Sequence, residues 1–180
     1  MKDRNFICVM LAFKRMSKAS RRYFLRRKER KPFLNKVFSK LGINISKKFG
    51  SRPQIEVVET TRHRIYIVDG QPVIAESDDD FFPTLLFEEY IPSLPRAVVD
   101  MGAVPFVCNG ADVMAPGVVE IQGQFEKEGL IIIVDERNRK PLAVARAVFD
   151  SETSRKTMKG KLFRNLHFVG DEIWNVAKES

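Results

Sequence analysis

Hydrophobic positions in the first quarter of the chain follow a helical period. An apolar run, Phe6–Phe13, fits either a strand or a helix. Over Ser17–Lys31, apolar residues recur on one side of a basic stretch, which predicts a helix. Pro32 suits the first turn of a second helix, which ends at Leu41 because Gly42 is a natural C-terminal cap. The pattern therefore predicts two short helices with a basic outer face.

Alternating apolar and polar residues follow a predicted loop at residues 43–54 and indicate a small β-sheet. The pair Asp69-Gly70 favours a hairpin, and Pro72 places the return strand at a sheet edge. A short helix is predicted at Thr84–Tyr90, directly after a proline. The predicted strands are Ile55–Glu59, His63–Val68 and Val73–Ala75.

The second half alternates short apolar runs with turns, which is typical of a compact barrel-like β domain. Asp100 can cap a short helix that ends at Asn109-Gly110, and a second short helix or turn begins at Ser151. A turn at Gly170 predicts a terminal hairpin. The predicted strands are Ala97–Val99, Val113–Met114, Val118–Ile121, Leu130–Val134, Leu142–Phe149, Leu166–Val169 and Glu172–Val176.

A stiff connector that contains Pro92 and Pro95 separates the two patterns, and we place a domain boundary there. A chain of 180 residues is long enough for two small domains, and its 14 Phe residues supply core mass. The sequence thus predicts an α+β fold. A basic N-terminal α/β domain covers residues 1–95, and a β domain with two short helices covers residues 96–180.

Charge is divided unequally between the two ends of the chain. Residues 1–64 carry 19 Lys or Arg against 4 Asp or Glu, whereas residues 65–180 carry 12 against 19. Segregation on this scale favours a polyanion as the partner of the basic part. The alternative is that these side chains only solubilise an amphipathic helix pair. Candidates for phosphate contacts, several of which would share a helical face, are Arg21, Arg22, Arg26, Arg27, Lys28 and Lys31.

Side chains suited to catalysis or metal binding are few and poorly grouped. His63 and His167 are the only histidines, and the only cysteines, Cys8 and Cys108, lie far apart. The acidic run Asp78–Asp80 lacks the ligand spacing of a calcium loop. No phosphate loop, nucleophile elbow or dinucleotide motif occurs. We therefore predict a protein that is not an enzyme, with no catalytic residue, no metal and no cofactor.

Nothing in the sequence predicts a membrane protein. The longest apolar run, Phe6–Phe13, is 8 residues long, which is too short to span a bilayer. Lys14 and Arg15 follow it at once without a cleavage site, so a signal peptide is not expected. Together with the few cysteines, this predicts a cytoplasmic protein whose start is either Met1 or Met16.

The most specific motif is VVDMGAVPFVCNGADVMAPGV at residues 98–118. Gly110 permits a left-handed turn at the end of the predicted helix, and Ala111 lets the backbone come close to a ligand. Pro116 and Gly117 then bend the following strand away. A glycine loop with exposed amides beside a small residue suits contact with a sugar-phosphate backbone.

This motif resembles the PUA domain, named for pseudouridine synthases and archaeosine transglycosylases. The later segments GKL at 160–162 and LHFVGDEIW at 166–174 also fit that domain. Upstream, FFPTL at 81–85 and VDMGA at 99–103 are similar to the malignant-T-cell-amplified-sequence family, and the resemblance spans residues 55–180. Archaeal members of this family are small RNA-binding proteins, and eukaryotic members are translation factors of the ligatin type.

The resemblance implies an N-terminal α/β pre-PUA domain followed by a C-terminal PUA pseudo-barrel that binds structured RNA. The implied partners are tRNA or rRNA, the small ribosomal subunit and a second translation-factor subunit. The alternatives are an accessory subunit for an RNA-modification enzyme and a protein-interaction adaptor that uses the acidic segment 76–89. The residues implied to line or support the RNA cleft are Gly102, Ala103, Gly110, Ala111, Asp112, Met114, Lys159 and Lys161.

Overall fold

The computed structural model of the protein describes residues 21–78 and 80–178. Within these ranges the chain forms two β-sheets, each accompanied by short helices. Several sequence predictions lie outside the described residues. They concern the apolar run Phe6–Phe13, the two candidate start methionines, the beginning of the helix predicted from Ser17, and Asp79 of the acidic run.

The first sheet is antiparallel, and its five strands lie side by side in chain order. The two strands predicted before the Asp69-Gly70 hairpin are confirmed. The third is wrongly placed at an edge, because it lies between two neighbours; Pro72 pairs with Ile67 at an irregular register, where a missing N–H is tolerated. The strands are β1 (Arg21–Phe24), β2 (Ile55–Glu59), β3 (Arg64–Val68), β4 (Gln71–Ser77) and β5 (Asp80–Pro83).

The helix predicted over Ser17–Lys31 is wrong in part, because β1 occupies four of its residues as an edge strand of the sheet. Hydrogen bonds cross from β1 to β2: the Arg22 guanidinium donates to Glu56, at 3.0 Å for Nη2, and the Tyr23 hydroxyl donates to Glu59 at 3.1 Å. Pairing with a neighbouring strand therefore outweighs the helical spacing of the apolar residues.

Helix α1 (Arg27–Leu41) follows β1 after two connecting residues. The backbone N–H of Arg26 donates to the Glu29 carboxylate at 2.8 Å, which is half of a capping box. Pro32 lies inside α1, so the prediction that it opens a separate helix is wrong. The C-terminal cap is confirmed, since Gly42 adopts a left-handed conformation with φ of 68°.

Two further segments between the first helix and the connector differ from prediction. Helix α2 (Ile45–Phe49) forms within the predicted loop at 43–54, because the side chain of Asn44 accepts a hydrogen bond from the Lys47 N–H at 3.1 Å. The helix predicted at Thr84–Tyr90 is a series of turns. Two of its backbone hydrogen bonds close over three residues, so no regular α-helix is established.

The second sheet has six strands in the order β7-β11-β10-β9-β6-β8. β6 and β9 run parallel, and the other neighbouring strands are antiparallel. The first five strands predicted in this half are confirmed. The strands are β6 (Arg96–Val99), β7 (Val113–Met114), β8 (Val118–Gln122), β9 (Leu130–Asp135), β10 (Pro141–Ala147) and β11 (Lys161–Phe168).

Three short helices accompany this sheet: α3 (Val104–Val107), α4 (Ser151–Lys156) and α5 (Glu172–Lys178). The predicted terminal hairpin is wrong, because its second strand is α5. The Asp171 carboxylate accepts a hydrogen bond from the Trp174 N–H at 2.8 Å and so starts a helix where the turn residues favoured a hairpin. In the described ranges, no helix is long and apolar enough to cross a membrane.

The two sheets share a hydrophobic core. Ile67 and Phe82 from the first sheet are buried in the same cluster as Ile132 and Val144 from the second sheet and Ile173 from α5. A further cluster lies within each half. The halves therefore pack through an apolar contact, and the domain division at residue 95 stays a prediction.

Polar contacts reinforce this junction at its margins. Arg146 on β10 forms an ion pair with Asp80, the last residue of the acidic run, and its Nη2 also donates to the Phe81 carbonyl at 3.1 Å. His63 Nδ1 lies 2.9 Å from Glu172 Oε2 in the first turn of α5. Each contact joins the first half of the chain to the second, so together they fix the relative orientation of the two sheets.

Candidate nucleic-acid interface

The chain leaves α3 and enters β7 through a tight turn at residues 107–112, called here the glycine loop. The N–H of Gly110 donates to the Val107 carbonyl at 3.0 Å, and the N–H of Ala111 donates to the Phe106 carbonyl at 3.0 Å. Gly110 has φ of 87°, which confirms the predicted left-handed turn. The loop thereby leaves Asn109, Gly110 and Ala111 exposed.

We expect Gly110→Ala to lower the free energy of unfolding by about 3 kcal/mol. The new Cβ would lie 2.8 Å from a ring carbon of Phe168, and alanine disfavours the left-handed conformation. Gly160→Ala is the matched control, since φ is 93° there and nothing lies within 4 Å of the Cβ position. It should cost about 1 kcal/mol. If urea denaturation showed the same loss of unfolding free energy in both variants, a role for the contact with the Phe168 ring would be contradicted.

Strand β11 lies beside the loop and supplies charged and polar groups. The Asp112 carboxylate accepts from Lys161 Nζ at 2.5 Å and from the backbone N–H of Asn165 at 2.9 Å. Lys161 pairs with Met114 across β7 and β11, and Lys159 is exposed just before the strand. The structure therefore brings most of the predicted cleft residues to this end of the sheet: Gly110, Ala111, Asp112, Met114, Lys159 and Lys161.

Gly102 and Ala103 lie at the other end of α3, in the turn that precedes it. The N–H of Ala103 donates to the Asp100 carboxylate at 2.7 Å. A Cβ added at Gly117 would lie 3.0 Å from the Ala103 Cβ, so the two turns are in close contact. These residues directly precede α3, at the end away from the loop, which fits a supporting role.

Sequence patterns missed two exposed apolar side chains near the loop. Phe106 is 68% exposed on α3, and Met158 is 79% exposed ahead of β11. Together with Met114, which is 48% exposed, we call these residues the apolar rim. Phe106 and Met114 flank the loop along the chain, and Met158 lies three residues before Lys161, which pairs with Met114. Helix α3 is too short for its hydrophobic period to reveal an outward Phe. An exposed aromatic ring such as Phe106, beside a loop that suits phosphate contact, is typical of surfaces on which unpaired bases stack.

The predicted basic set is divided between two elements, strand β1 and the start of helix α1, so only some of its members share a helical face. Arg21 and Arg22 lie on strand β1. The Arg22 guanidinium, hydrogen-bonded to Glu56, holds the pKa of that carboxyl below its ordinary value. Arg21 lies over the Tyr23 ring at 4.9 Å. Arg22 is thus already used in a cross-strand contact.

The remaining members of the basic set surround the start of α1. Arg26 immediately precedes the helix, and Arg27, Lys28 and Lys31 follow at positions that share one side of it. All four side chains are exposed. Within residues 21–78 and 80–178, no ion pair is formed by Arg27, Lys28 or Lys31. We call Arg27, Lys28 and Lys31 the basic face.

The candidate catalytic side chains have structural partners. His63 lies against Glu172, and His167, which is fully buried, has Nδ1 at 2.8 Å from Asp171 Oδ2. Cys108 is half-buried in the glycine loop, beside the core under β7. Among the described residues, no group of three or more His, Cys, Asp or Glu side chains is arranged to hold a metal ion. The loop and the basic face are therefore the features with an open surface and suitable chemistry.

Two family models match the chain. The PUA domain matches residues 95–169, and a domain of unknown function, DUF1947, matches residues 21–90. The curled second sheet and its glycine loop thus define a PUA domain that follows a helix-and-sheet N-terminal region. The α+β fold predicted from the sequence is confirmed.

Relatives of known sequence extend this assignment to nearly the whole chain. An uncharacterized protein of Methanocaldococcus jannaschii is 36% identical, with 86% of this chain and 96% of that protein covered. Translation machinery-associated protein 20 of Saccharomyces cerevisiae is 27% identical over 81% of this chain and 85% of its own length. Malignant T-cell-amplified sequence 1 of Rattus norvegicus is 26% identical over 81% and 77%. The chain belongs to the malignant-T-cell-amplified-sequence family of PUA-domain proteins, an RNA-binding family.

Solved archaeal structures show the same fold. A PUA domain of Aeropyrum pernix, crystallised as a tartrate complex, has a TM-score of 0.72 at 28% identity, covering 88% of this chain and 92% of that one. A hypothetical protein of Pyrococcus horikoshii has a TM-score of 0.70 at 29% identity, covering 87% and 99%. Both matches include the N-terminal region as well as the PUA domain, so the two-sheet arrangement is common to these proteins.

Proposed function

We propose that this protein is a non-enzymatic, cytoplasmic RNA-binding protein that binds tRNA, the small ribosomal subunit or both during translation initiation or recycling. The observation that carries the proposal is the glycine loop, where the exposed Ala111 is followed by Asp112, the partner of Lys161. Exposed residues of the apolar rim lie on the elements that flank the loop. The name of the Saccharomyces cerevisiae relative, translation machinery-associated protein 20, supports a role in translation. A second translation-factor subunit completes the proposed assembly.

The loop provides contacts suited to a single-stranded RNA end. A small side chain at Ala111 lets the RNA backbone approach closely, and Lys159 and Lys161 supply positive charge for phosphates. Lys161 is held by Asp112, so an incoming phosphate would compete with that carboxylate. The exposed Phe106 ring offers a face on which an unstacked base can pack, and the thioethers of Met114 and Met158 add apolar surface.

The basic face supplies a second type of contact. Arg27, Lys28 and Lys31 carry charges that no ion pair in the described part of the chain neutralises, so they can bind phosphates without first losing a partner. Such contacts carry little base information. We therefore assign them the sequence-independent part of binding, and assign shape or 3′-end recognition to the glycine loop.

Ala111→Glu is expected to weaken tRNA binding by more than about tenfold. The substitution places a carboxylate at an exposed position of the loop, where it repels phosphate without disturbing the core. Ala111→Gln is the matched control, because it adds nearly the same volume without charge, and it should weaken binding much less. Fluorescence anisotropy with labelled tRNA measures both. Wild-type affinity in a folded Ala111→Glu protein would overturn the assignment of the loop as an RNA site.

A further inference from the structure

A β-bulge lies in β11 directly opposite the glycine loop. Ala145 of β10 pairs with Asn165, but the preceding residue, Val144, pairs with His167, so β11 carries one extra residue at Leu166. Side chains alternate between faces along a regular strand, and an extra residue shifts this alternation. Asn165 and Phe168 are three positions apart and would lie on opposite faces of a regular strand; the bulge brings them to the same face.

Both side chains contact the glycine loop. The Phe168 ring is the neighbour that a Cβ at Gly110 would meet. Asn165 contacts the loop through its amide: its Nδ2 donates to the Val107 carbonyl at 3.0 Å and to the Ala111 carbonyl at 3.1 Å. The backbone N–H of Asn165 also donates to the carboxylate at the end of the loop. Three hydrogen bonds from one residue thus span the loop from its first residue to its last.

The side chain of Asn165 contacts the loop through the donor atom of its amide, Nδ2. Its Oδ1 is buried and has no hydrogen-bond partner among the described residues, which is unfavourable for an acceptor. The amide nevertheless remains oriented with Nδ2 towards two carbonyls. Because a trans peptide places C=O and the next N–H on opposite sides, holding the Ala111 carbonyl inward turns the N–H of Asp112 away from Asn165.

We propose that Asn165, presented by the β11 bulge, is a positioning residue that holds the glycine loop in its RNA-binding conformation. This inference rests on the proposed function of the loop. It assigns no RNA contact to Asn165 itself, which acts through the orientation of the peptides between Val107 and Asp112. Its loss should therefore change RNA affinity through the loop and leave the phosphate contacts of the basic face intact.

The test uses Asn165→Ala in the full chain, with Asn165→Leu as a second variant that fills the vacated space. Both should weaken tRNA binding by about tenfold, since two loop-orienting hydrogen bonds are lost. Both should leave the salt slope unchanged, because no cation is removed. The control is Asn175→Ala, which removes one Nδ2 bond of 3.2 Å to the Gly170 carbonyl, and it should bind like the wild type.

A spectroscopic measurement separates positioning from general destabilisation. In ¹⁵N-labelled protein without RNA, Asn165→Ala should shift the amide resonances of residues 106–113 and leave those of the first sheet in place. Wild-type RNA affinity in both Asn165 variants, with Ala111→Glu still impaired, would overturn this inference alone. If Ala111→Glu also bound normally, the proposed function of the loop would fail, and this inference with it.

Discussion

Charge reversal of the basic face, Arg27→Glu with Lys28→Glu and Lys31→Glu, is expected to flatten the salt dependence of tRNA binding by roughly two to three units of log–log slope. Each phosphate contact releases condensed counterions, with a slope of about 0.9 in duplex RNA regions and about 0.7 in single strands, taking the DNA values as a guide. Affinity at low salt should fall by about two orders of magnitude. Sequence preference should be unchanged, because these contacts carry little base information.

The fold should tolerate this triple change. Two of the three positions lie in the first turn of α1, where acidic side chains interact favourably with the helix dipole. The matched control reverses three exposed cations of the second half, Lys127, Arg137 and Lys140, and so changes net charge by the same amount. Titration of labelled tRNA at several salt concentrations measures the slopes. Parallel slopes for the basic-face variant and the wild type would show that the basic face only solubilises α1.

Local patterns predicted most of the strands but failed where a neighbouring element decides the structure. β2, β3 and β9 have strong alternation of apolar and polar residues or continuous apolar runs. Each of these strands forms where the pattern predicts it. The residues of β1 have a helical spacing, yet they pair with β2, a partner more than 30 positions away. The pattern predicts a strand where α5 forms, because Gly170 and Asp171 favour both a hairpin turn and a helix cap.

The candidate site was predictable to the extent that it is local. The glycine loop follows from a helix end, a left-handed glycine and a small residue, all within residues 107–112. Asn165 was not predictable, because its role depends on the register between β10 and β11 and on a bulge that leaves no mark in composition. The outward position of Phe106 likewise depends on how α3 packs. The register between strands that are distant in sequence, and not local propensity, therefore determines the part of the site that could not be predicted from the sequence.

Phe82→Ala is expected to lower the free energy of unfolding by about 3–5 kcal/mol, because Phe82 is fully buried in the core that the two sheets share. For a chain of this size, the melting temperature should fall by about 10 °C. The substitution lies in the first half of the chain, whereas the only tryptophan, Trp174, lies on α5 and packs against the same core. Its fluorescence therefore reports whether the second half loses stability as well.

A shared core predicts that tryptophan fluorescence and far-ultraviolet circular dichroism shift together in Phe82→Ala, since removing one buried ring destabilises both sheets at once. Phe38→Ala is the control: it is the same chemical change in the first half, but the ring is 56% exposed, and stability should change by about 0.5 kcal/mol or less. If the Trp174 signal melted at the wild-type temperature in Phe82→Ala, while circular dichroism showed an early transition, the halves would be folding independently. A joint shift would mean that the basic face and the glycine loop are carried by one cooperative unit and meet RNA at a fixed spacing.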